Sequence, residues 1–247
     1  MNFSIVVATY GRFEAFKKLV NSIENTVIEG DSIQLIVVSS DHPESDKIQW
    51  IKRLSHFDVN LHLDDVRVGP RTKSLYYFEN IGIKVAKHEW VIVCNDDMWF
   101  DPNWIVEFKK VVSKVNVYII STHLGDPNFG LRIPLVGSFK KGLKTFPLWL
   151  MDMTIIHKSI YEQIDFLDEH LKWFGKGADL ALKIAFLTNE KVKLAHSVIV
   201  NHDMSPSERV ANISQPSTRR AQEDFHYISS KWNSWILDNN LPYKFDF

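Results

Sequence analysis

Apolar residues in the first hundred positions form short continuous runs that alternate with stretches of helical spacing. Runs rich in valine, isoleucine and leucine predict buried β-strands, and apolar residues every three or four positions predict amphipathic helices. The predicted strands are 3–8, 33–38, 59–63 and 90–94, and the predicted helices begin near residues 13, 43 and 73. Continuous apolar strands separated by helices are typical of a parallel sheet covered on both faces. Residues 1–100 therefore predict a Rossmann-type nucleotide-binding half.

The second half of the chain has a less regular pattern. It predicts strands near 117–121, 148–156 and 191–200, and helices after Pro102, near 177–187 and near 218–237. Residues 125–144 are rich in Gly, Pro and Lys and favour a long loop or a hairpin. We expect one α/β domain over residues 1–205, in which a mostly parallel sheet is flanked by helices and 101–205 form the second half. A C-terminal helical extension over 206–247 follows it.

Composition narrows the class of protein. Hydrophobic residues make up 45% and charged residues 24%, which is typical of a globular chain. The net charge of -1 shows no basic excess, which argues against a nucleic-acid partner without excluding a local basic patch. Cys94 is the single cysteine, so a disulfide framework and a Cys-rich metal site are excluded. The chain begins without a basic leader and has no run of ~20 apolar residues, so we expect a cytoplasmic protein without a transmembrane segment.

Polar residues follow three predicted parallel strands, where such sheets bind their ligands. The segments 9–12, 39–42 and 95–97 should therefore surround one crevice. In the third segment, a buried strand ends in Asn95, Asp96 and Asp97. Carboxylates in this position suit Mg²⁺ or Mn²⁺, which in turn binds a diphosphate. The alternative is a solvated loop with an aspartate helix cap, a role that Asp101 fits before Pro102.

The succession of motifs resembles the family-2 glycosyltransferases of the GT-A fold. The resemblance rests on residues 4–12, 80–82, 95–97, 166–169, 175–184 and His202. It implies a GT-A-like fold and transfer of a sugar from a nucleotide-diphosphate donor to a hydroxyl acceptor. It also implies a divalent cation, Mn²⁺ or Mg²⁺, and inversion at the anomeric carbon.

Individual residues match the family's functional positions. Asn95 and Asp97 occupy the outer positions of its Asp-x-Asp motif, and Asp41 stands near the acid that contacts the base or the ribose. Arg71 follows Gly69-Pro70 and could either contact the diphosphate or be a solvated loop charge. Arg71 and the residues that match the family form two sets of expected site residues. The expected donor-binding residues are Thr9, Tyr10, Arg12, Asp41, Arg71, Asn80, Asn95 and Asp96, and the expected metal ligands are Asp97 and His202.

One segment departs from the family pattern. The family has Glu-Asp before a further Asp-Leu, and its second acid usually takes the proton of the acceptor hydroxyl. This chain has Lys176 and Gly177 at those two positions, and it keeps only Asp179. Asp179 is the first candidate for the base and Asp152 the second. Asp179 could equally be a helix-start residue favoured by the helix dipole, and a retaining mechanism would need no base here.

Other functions remain open on the sequence. Lys176 could touch the donor phosphate or be a solvated loop residue, and its position favours a catalytically impaired nucleotide-sugar or glycan-binding module as the second hypothesis. A pyrophosphorylase or a nicotinamide dehydrogenase is disfavoured because the first strand is not followed by a glycine-rich phosphate loop. The acceptor could be a polysaccharide, a lipid-linked glycan, a protein or a modified base, with Trp149 or Trp173 as a stacking contact.

Overall fold

The computed structural model describes residues 1–26, 30–64, 73–112, 115–124, 131–132, 135–141, 144–149, 153–172, 175–188, 190, 192–202 and 217–240. The strands are β1 Asn2–Thr9, β2 Ser32–Ser39, β3 Asp58–Leu63, β4 Trp90–Asn95, β5 Met98–Phe100, β6 Val117–Leu124, β7 Leu131–Arg132, β8 Leu135–Lys141, β9 Lys144–Trp149, β10 Thr154–His157 and β11 Val192–His202. The helices are α1 Phe13–Glu24, α2 Asp46–Ile51, α3 Leu75–Val85, α4 Trp104–Val111, α5 Lys158–Gln163, α6 Lys176–Leu187 and α7 Ser217–Asp238.

One mixed sheet organises the described part of the chain. Its strands lie in the order β3-β2-β1-β4-β10-β6-β11-β5, with β7 beside β6, while β8 and β9 form a separate hairpin. The four strands of the amino-terminal half are parallel to one another, and β11 is parallel to β6. The strand β10 runs antiparallel to both β4 and β6. It follows that β4, β6 and β11 all point the same way, so their carboxyl ends meet at one edge.

The two faces of the sheet carry separate cores, as the alternation of side chains along each strand requires. On one face, Val6 and Ala8 pack with residues of α3, α6 and α7. On the other face, Ile5 and Val7 pack with residues of α1 and α4. The carboxyl-terminal helix α7 contributes fully buried side chains, Ile228 among them, to the first core. It is therefore an integral layer of the fold.

Gly82 allows α3 to lie directly on β1. A Cβ atom at this position would come 2.3 Å from Val6 Cγ1, closer than any real carbon contact. We expect Gly82→Ala to lower the free energy of unfolding by about 1–3 kcal/mol, because overpacking outweighs the better helix propensity of alanine. Chemical denaturation measures this, and the exposed neighbour Val85→Ala is the control. Unchanged or increased stability of Gly82→Ala would contradict the close packing.

The predicted amino-terminal strands are confirmed, and the remaining elements show where local pattern was insufficient. The helix predicted from Pro43 begins at Asp46, because the Ser45 hydroxyl accepts a hydrogen bond from the Ile48 N–H and caps it there. The loop or hairpin predicted over 125–144 contains the hairpin strand β8, which pairs with β9. The short elements β5 and α5 were not predicted, since three and six residues give too little periodicity. No described helix is long and apolar enough to cross a membrane.

Candidate functional site

The carboxyl ends of β1, β2 and β4 lie side by side and form the floor of a crevice. Thr9 at the end of β1 is in register with Ser39 of β2, and the preceding Ala8 is in register with Asn95 of β4. The loops that leave these strands are joined by side-chain contacts: Thr9 binds Asp96, and the Gly11 N–H binds Asp41. The segments 9–12, 39–42 and 95–97, which were predicted to surround one crevice, are thus brought together at one edge of the sheet.

Asp96 is the buried member of the acidic pair. Its Oδ2 accepts a hydrogen bond of 2.7 Å from the Thr9 hydroxyl, and its Oδ1 lies 3.3 Å from Arg12 Nη1. Burial raises the pKa of Asp96, while the Thr9 bond and the Arg12 charge oppose that shift. Asp96 therefore ties the β4 turn to the β1 loop and fixes the direction in which the next residue points.

Asp97 lies between the side chains of Arg12 and His202. Arg12 Nη1 donates to its Oδ2, and His202 Nε2 lies 3.2 Å from its Oδ1. Burial alone would raise the pKa of Asp97, but His202 and the Arg12 guanidinium outweigh it, so this pKa lies below its usual value. Oδ1 is buried and has no hydrogen bond within the described structure.

His202 reaches the acidic pair through strand pairing. It is the last residue of β11, and it pairs antiparallel with Met98 of β5, which directly follows Asp97. More than a hundred residues separate the two side chains in sequence, so no local pattern could reveal this contact. The two expected metal ligands are thus brought together by the fold.

The chemistry of Asp97 and His202 fits a divalent cation. Adjacent ligands of an octahedral Mg²⁺ or Mn²⁺ lie about 3 Å apart, close to the 3.2 Å between Asp97 Oδ1 and His202 Nε2. In the described ranges, no group of three or more His, Cys, Asp or Glu residues could hold a metal by itself. Such cations are commonly bound by one or two protein ligands completed by substrate phosphates. Asp97 and His202 have the ligand types that such a partial set requires.

Two residues with left-handed backbone and a buried lysine determine the conformation of the loop that follows β1. Gly11 and Arg12 have φ of 64° and 49°, which turns the chain sharply after the strand. Asp41 Oδ1 accepts from the Gly11 N–H at 2.8 Å, and its Oδ2 accepts from the Ser39 hydroxyl. Lys47 Nζ lies 2.9 Å from Asp41 Oδ2 and donates to the Gly11 carbonyl at 2.6 Å. Lys47 was not predicted from the sequence, because it looks like an ordinary first-turn residue of α2.

Asn80 has a different environment from the direct donor contact that was expected. Its Nδ2 donates to the Leu167 carbonyl at 2.9 Å and to Glu169 Oε1 at 2.8 Å, and its Oδ1 accepts from the Leu167 N–H. The side chain is buried. Because both ends of its amide bind the segment after α5, Asn80 connects α3 to that segment.

The remaining expected residues differ in how much the structure describes. Tyr10 is exposed at the crevice and Asn95 is half-buried. Arg71, Asp152 and Trp173 lie outside the described residues, as does the side chain of Trp149.

Asp179 lies beneath α7, away from the described contacts of the acidic pair. Its Oδ1 accepts from Lys231 Nζ at 2.7 Å and from Trp232 Nε1 at 2.8 Å, and the residue is 2% exposed. Lys231 also binds Asp168 Oδ2 at 2.6 Å. The contacts at Oδ1 join α6 to α7, while Asp179 Oδ2 lies 4.0 Å from Lys183 Nζ of the same helix. This environment differs from that expected of a base facing the crevice.

A second pair of buried charges was not anticipated from the sequence. Lys176 Nζ donates to Glu79 Oε1 at 2.9 Å, whereas the sequence led us to consider Lys176 only as a phosphate contact or a solvated loop residue. Burial raises the pKa of Glu79, and the charge and hydrogen bond of Lys176 oppose that shift. Lys176 is thus a partly buried residue, in contrast to the solvated loop lysine considered from the sequence.

Comparisons with known proteins agree with this geometry. The family model for glycosyl transferase family 2 matches residues 4–131, just over half of the chain. A crystal structure of S. aureus TarS 1-349 in complex with UDP-GlcNAc is similar with a TM-score of 0.70 and 14% identity, covering 94% of this chain and 66% of that one. The mannosyltransferase PcManGT from Pyrobaculum calidifontis, in complex with GDP-Man and Mn²⁺, is similar with a TM-score of 0.59 and 12% identity, covering 81% and 56%. No curated protein sequence matches significantly.

These similarities establish the fold and the family. The chain spans 66% of the TarS 1-349 fragment and 44% of the longer TarS structure. At such low identity the structural likeness concerns the GT-A fold alone, and it covers both halves of the sheet. The match of the family model includes the crevice residues from Thr9 to Asp97. The chain belongs to glycosyl transferase family 2 and has the GT-A fold.

Proposed function

We propose that this enzyme transfers a sugar from a nucleoside-diphosphate donor to a hydroxyl acceptor, with inversion and with a divalent cation held by Asp97 and His202. The observation that supports this most directly is the meeting of Asp96, Asp97, Arg12 and His202 at the carboxyl edge of the sheet. Structures similar to this chain contain UDP-GlcNAc, UDP or GDP-Man, which supports the class of donor.

The donor nucleoside is proposed to bind along the β1 and β2 loops. Tyr10 is exposed there and can stack on a base, while Thr9 and Asp96 fix the loop from below. Asp41 is placed beside the Gly11 N–H, where its carboxylate can accept from ribose hydroxyls. Arg12 and Asn95 lie next to the acidic pair and are proposed to contact the donor there. Arg71 is proposed as a further contact of the diphosphate. Asn80 is proposed to act indirectly, by holding the segment at Leu167.

The chemistry requires that the leaving nucleoside diphosphate be stabilised as the glycosidic bond breaks. A bound Mg²⁺ or Mn²⁺ would supply Lewis-acid neutralisation of that charge. Asp97 would present its buried Oδ1 to the cation from a position that Arg12 and Asp96 keep fixed. A group that is preorganised in this way needs little reorganisation during the reaction.

Inversion requires a carboxylate within hydrogen-bond reach of the acceptor hydroxyl. Asp179 and Asp152 are the two candidates that we propose for this proton transfer. The contacts of Asp179 with Lys231 and Trp232 give it an anchoring role that competes with proton transfer. The same contacts, and Lys176 at the family's acidic position, favour a catalytically impaired nucleotide-sugar-binding protein as the second candidate function.

A ligand screen distinguishes the two functions. We expect UDP or GDP at saturating concentration with Mn²⁺ to raise the melting temperature by about 5 °C, because a ligand at 100 times its Kd adds ~2.7 kcal/mol of stability. A parallel assay follows release of free nucleoside diphosphate from UDP- and GDP-sugars. Stabilisation with turnover supports the transferase, stabilisation without turnover supports the binding protein, and no stabilisation by any nucleotide contradicts both.

A further inference from the structure

The buried pair formed by Lys176 and Glu79 is incompletely satisfied. Lys176 Nζ binds Glu79 Oε1, but Glu79 Oε2 is buried and has no hydrogen-bond partner among the described residues. The Glu79 side chain is only 1% exposed. Leaving a buried carboxylate oxygen without a donor costs free energy, so a pair that served stability alone would be expected to satisfy it. This arrangement points to a role beyond packing.

The pair lies at the same edge of the sheet as the acidic pair. Helix α3 ends just before β4 begins, and α6 ends just before β11 begins, so both helices run against their strands. Lys176 at the start of α6 therefore lies at the carboxyl edge, and its hydrogen bond to Glu79, the fifth residue of α3, reaches toward that edge. Burial raises the pKa of the Cys94 thiol, and the charges that act on it are those of Lys176, Glu79, Asp96 and Asp97. Both pairs thus lie close to the end of β4.

Lys176 retains the capacity to bind a ligand. Glu79 uses one of the three N–H donors of its ammonium, and the Tyr76 ring, 5.9 Å from Nζ, is the other described contact. Its side chain is 13% exposed, whereas Glu79 is closed off behind it. The first turn of α6 has no side-chain cap, and helix amino termini favour anions. The group that a ligand would meet here is the cation.

The charges around the crevice indicate which class of ligand the Lys176 ammonium would bind. A nucleoside diphosphate brings negative charge to an edge that already carries Asp96 and Asp97. The nearby cations Arg12 and Lys47 both bind carboxylates there. Resting on the proposed function, we propose that Lys176 binds the diphosphate of the donor from the α6 side of the crevice, and that Glu79 holds the ammonium in place for it. The cation thus occupies the position at which the family usually has an acid.

Calorimetry with UDP and GDP, without metal and with Mn²⁺, tests this assignment. Lys176→Met should weaken binding of the diphosphates about tenfold or more, as expected for loss of a charge-assisted hydrogen bond. Lys176→Arg should retain most of the affinity, and binding of uridine and guanosine should not change. Lys158→Met is the matched control, because Lys158 binds the Ala86 carbonyl at the opposite edge of the sheet.

Two double variants separate ligand binding from a purely structural pair. Glu79→Gln with Lys176→Met removes both buried charges and should fold, yet it should bind the diphosphates as weakly as Lys176→Met. Glu79→Lys with Lys176→Glu restores an ion pair in reverse and should lose affinity at least as strongly. Wild-type affinity in Lys176→Met or in the reversed pair would overturn the assignment. Absence of UDP and GDP binding in the wild type would instead overturn the proposed function.

Discussion

Replacing Asp97 by asparagine is expected to lower the rate of sugar transfer about a thousandfold while leaving the protein folded. The substitution keeps the shape of the side chain but removes the charge that Arg12 and His202 share. A cation bound there would lose its one charged protein ligand, and its stabilisation of the leaving group is worth several kcal/mol. Initial rates of nucleoside-diphosphate release at saturating Mn²⁺ give the measurement.

Asp101→Asn is the control for this experiment. It removes the same charge four residues away, where Asp101 Oδ1 accepts a hydrogen bond from the Asn103 N–H at the start of α4. Its activity should stay within about twofold of the wild type. The stabilisation by Mn²⁺ with UDP or GDP should disappear in Asp97→Asn and persist in Asp101→Asn. Full activity of Asp97→Asn would show that the cation site has been misplaced.

Replacing Lys231 by methionine should produce the largest loss of stability. Lys231 binds two buried carboxylates, Asp168 at 2.6 Å and Asp179 at 2.7 Å, whose side chains are 7% and 3% exposed. Removing the cation leaves both without their shared partner, so the free energy of unfolding should fall by about 3–5 kcal/mol and the melting temperature by about 10 °C. Thermal and urea unfolding measure this. Lys17→Met, which breaks the exposed pair with Glu14, should change little.

The pH dependence of the stability lost in Lys231→Met tests whether an unpaired carboxylate causes that loss. Burial alone would raise the pKa of Asp168, but Lys231 and His170 hold it well below the usual range. A carboxyl whose pKa is lower in the folded state stabilises the protein above its unfolded pKa of about 4, and this stabilisation is lost as the pH falls further. The stability difference between wild type and Lys231→Met should therefore be full at neutral pH and shrink below about pH 4. A difference independent of pH would argue for packing of the lysine stem alone.

Asp179→Asn separates anchoring from proton transfer at the same network. If Asp179 serves mainly to anchor α7, this variant should lose stability while the kcat of the folded molecules stays within about tenfold of the wild type. If it is also the acceptor base, kcat should fall by about a thousandfold or more as well. We expect the loss of stability in either case, because Lys231 and Trp232 both donate to Asp179 Oδ1, and the kcat then decides whether Asp179 or Asp152 takes the proton.

Local sequence pattern was a good guide wherever one element carried the information. The run from Phe3 to Ala8 predicted β1 because continuous burial on both faces requires apolar residues at every position. The turn after β4 predicted the candidate site because Asp96 and Asp97 are charged residues that directly follow a buried strand and cannot contribute to an apolar core. The amphipathic pattern of α7 likewise predicted a helix. The pattern alone did not show that Ile228 and Trp232 of this helix pack into the core that also contains Val6 and Ala8.

Hydrophobic pattern was sufficient to predict the parallel amino-terminal half and the meeting of its polar strand ends, Asp96 and Asp97 among them, at the carboxyl edge. These properties depend on neighbours in the chain and on the direction of parallel strands. The folded chain was needed to show that Lys176 meets Glu79 and that Lys231 meets Asp179, and it revealed the direct contact between His202 and Asp97, which only the family resemblance had suggested. Each of these contacts joins residues on different elements more than fifty positions apart. Their pairing depends on strand order and helix packing, which hydrophobic periodicity does not encode.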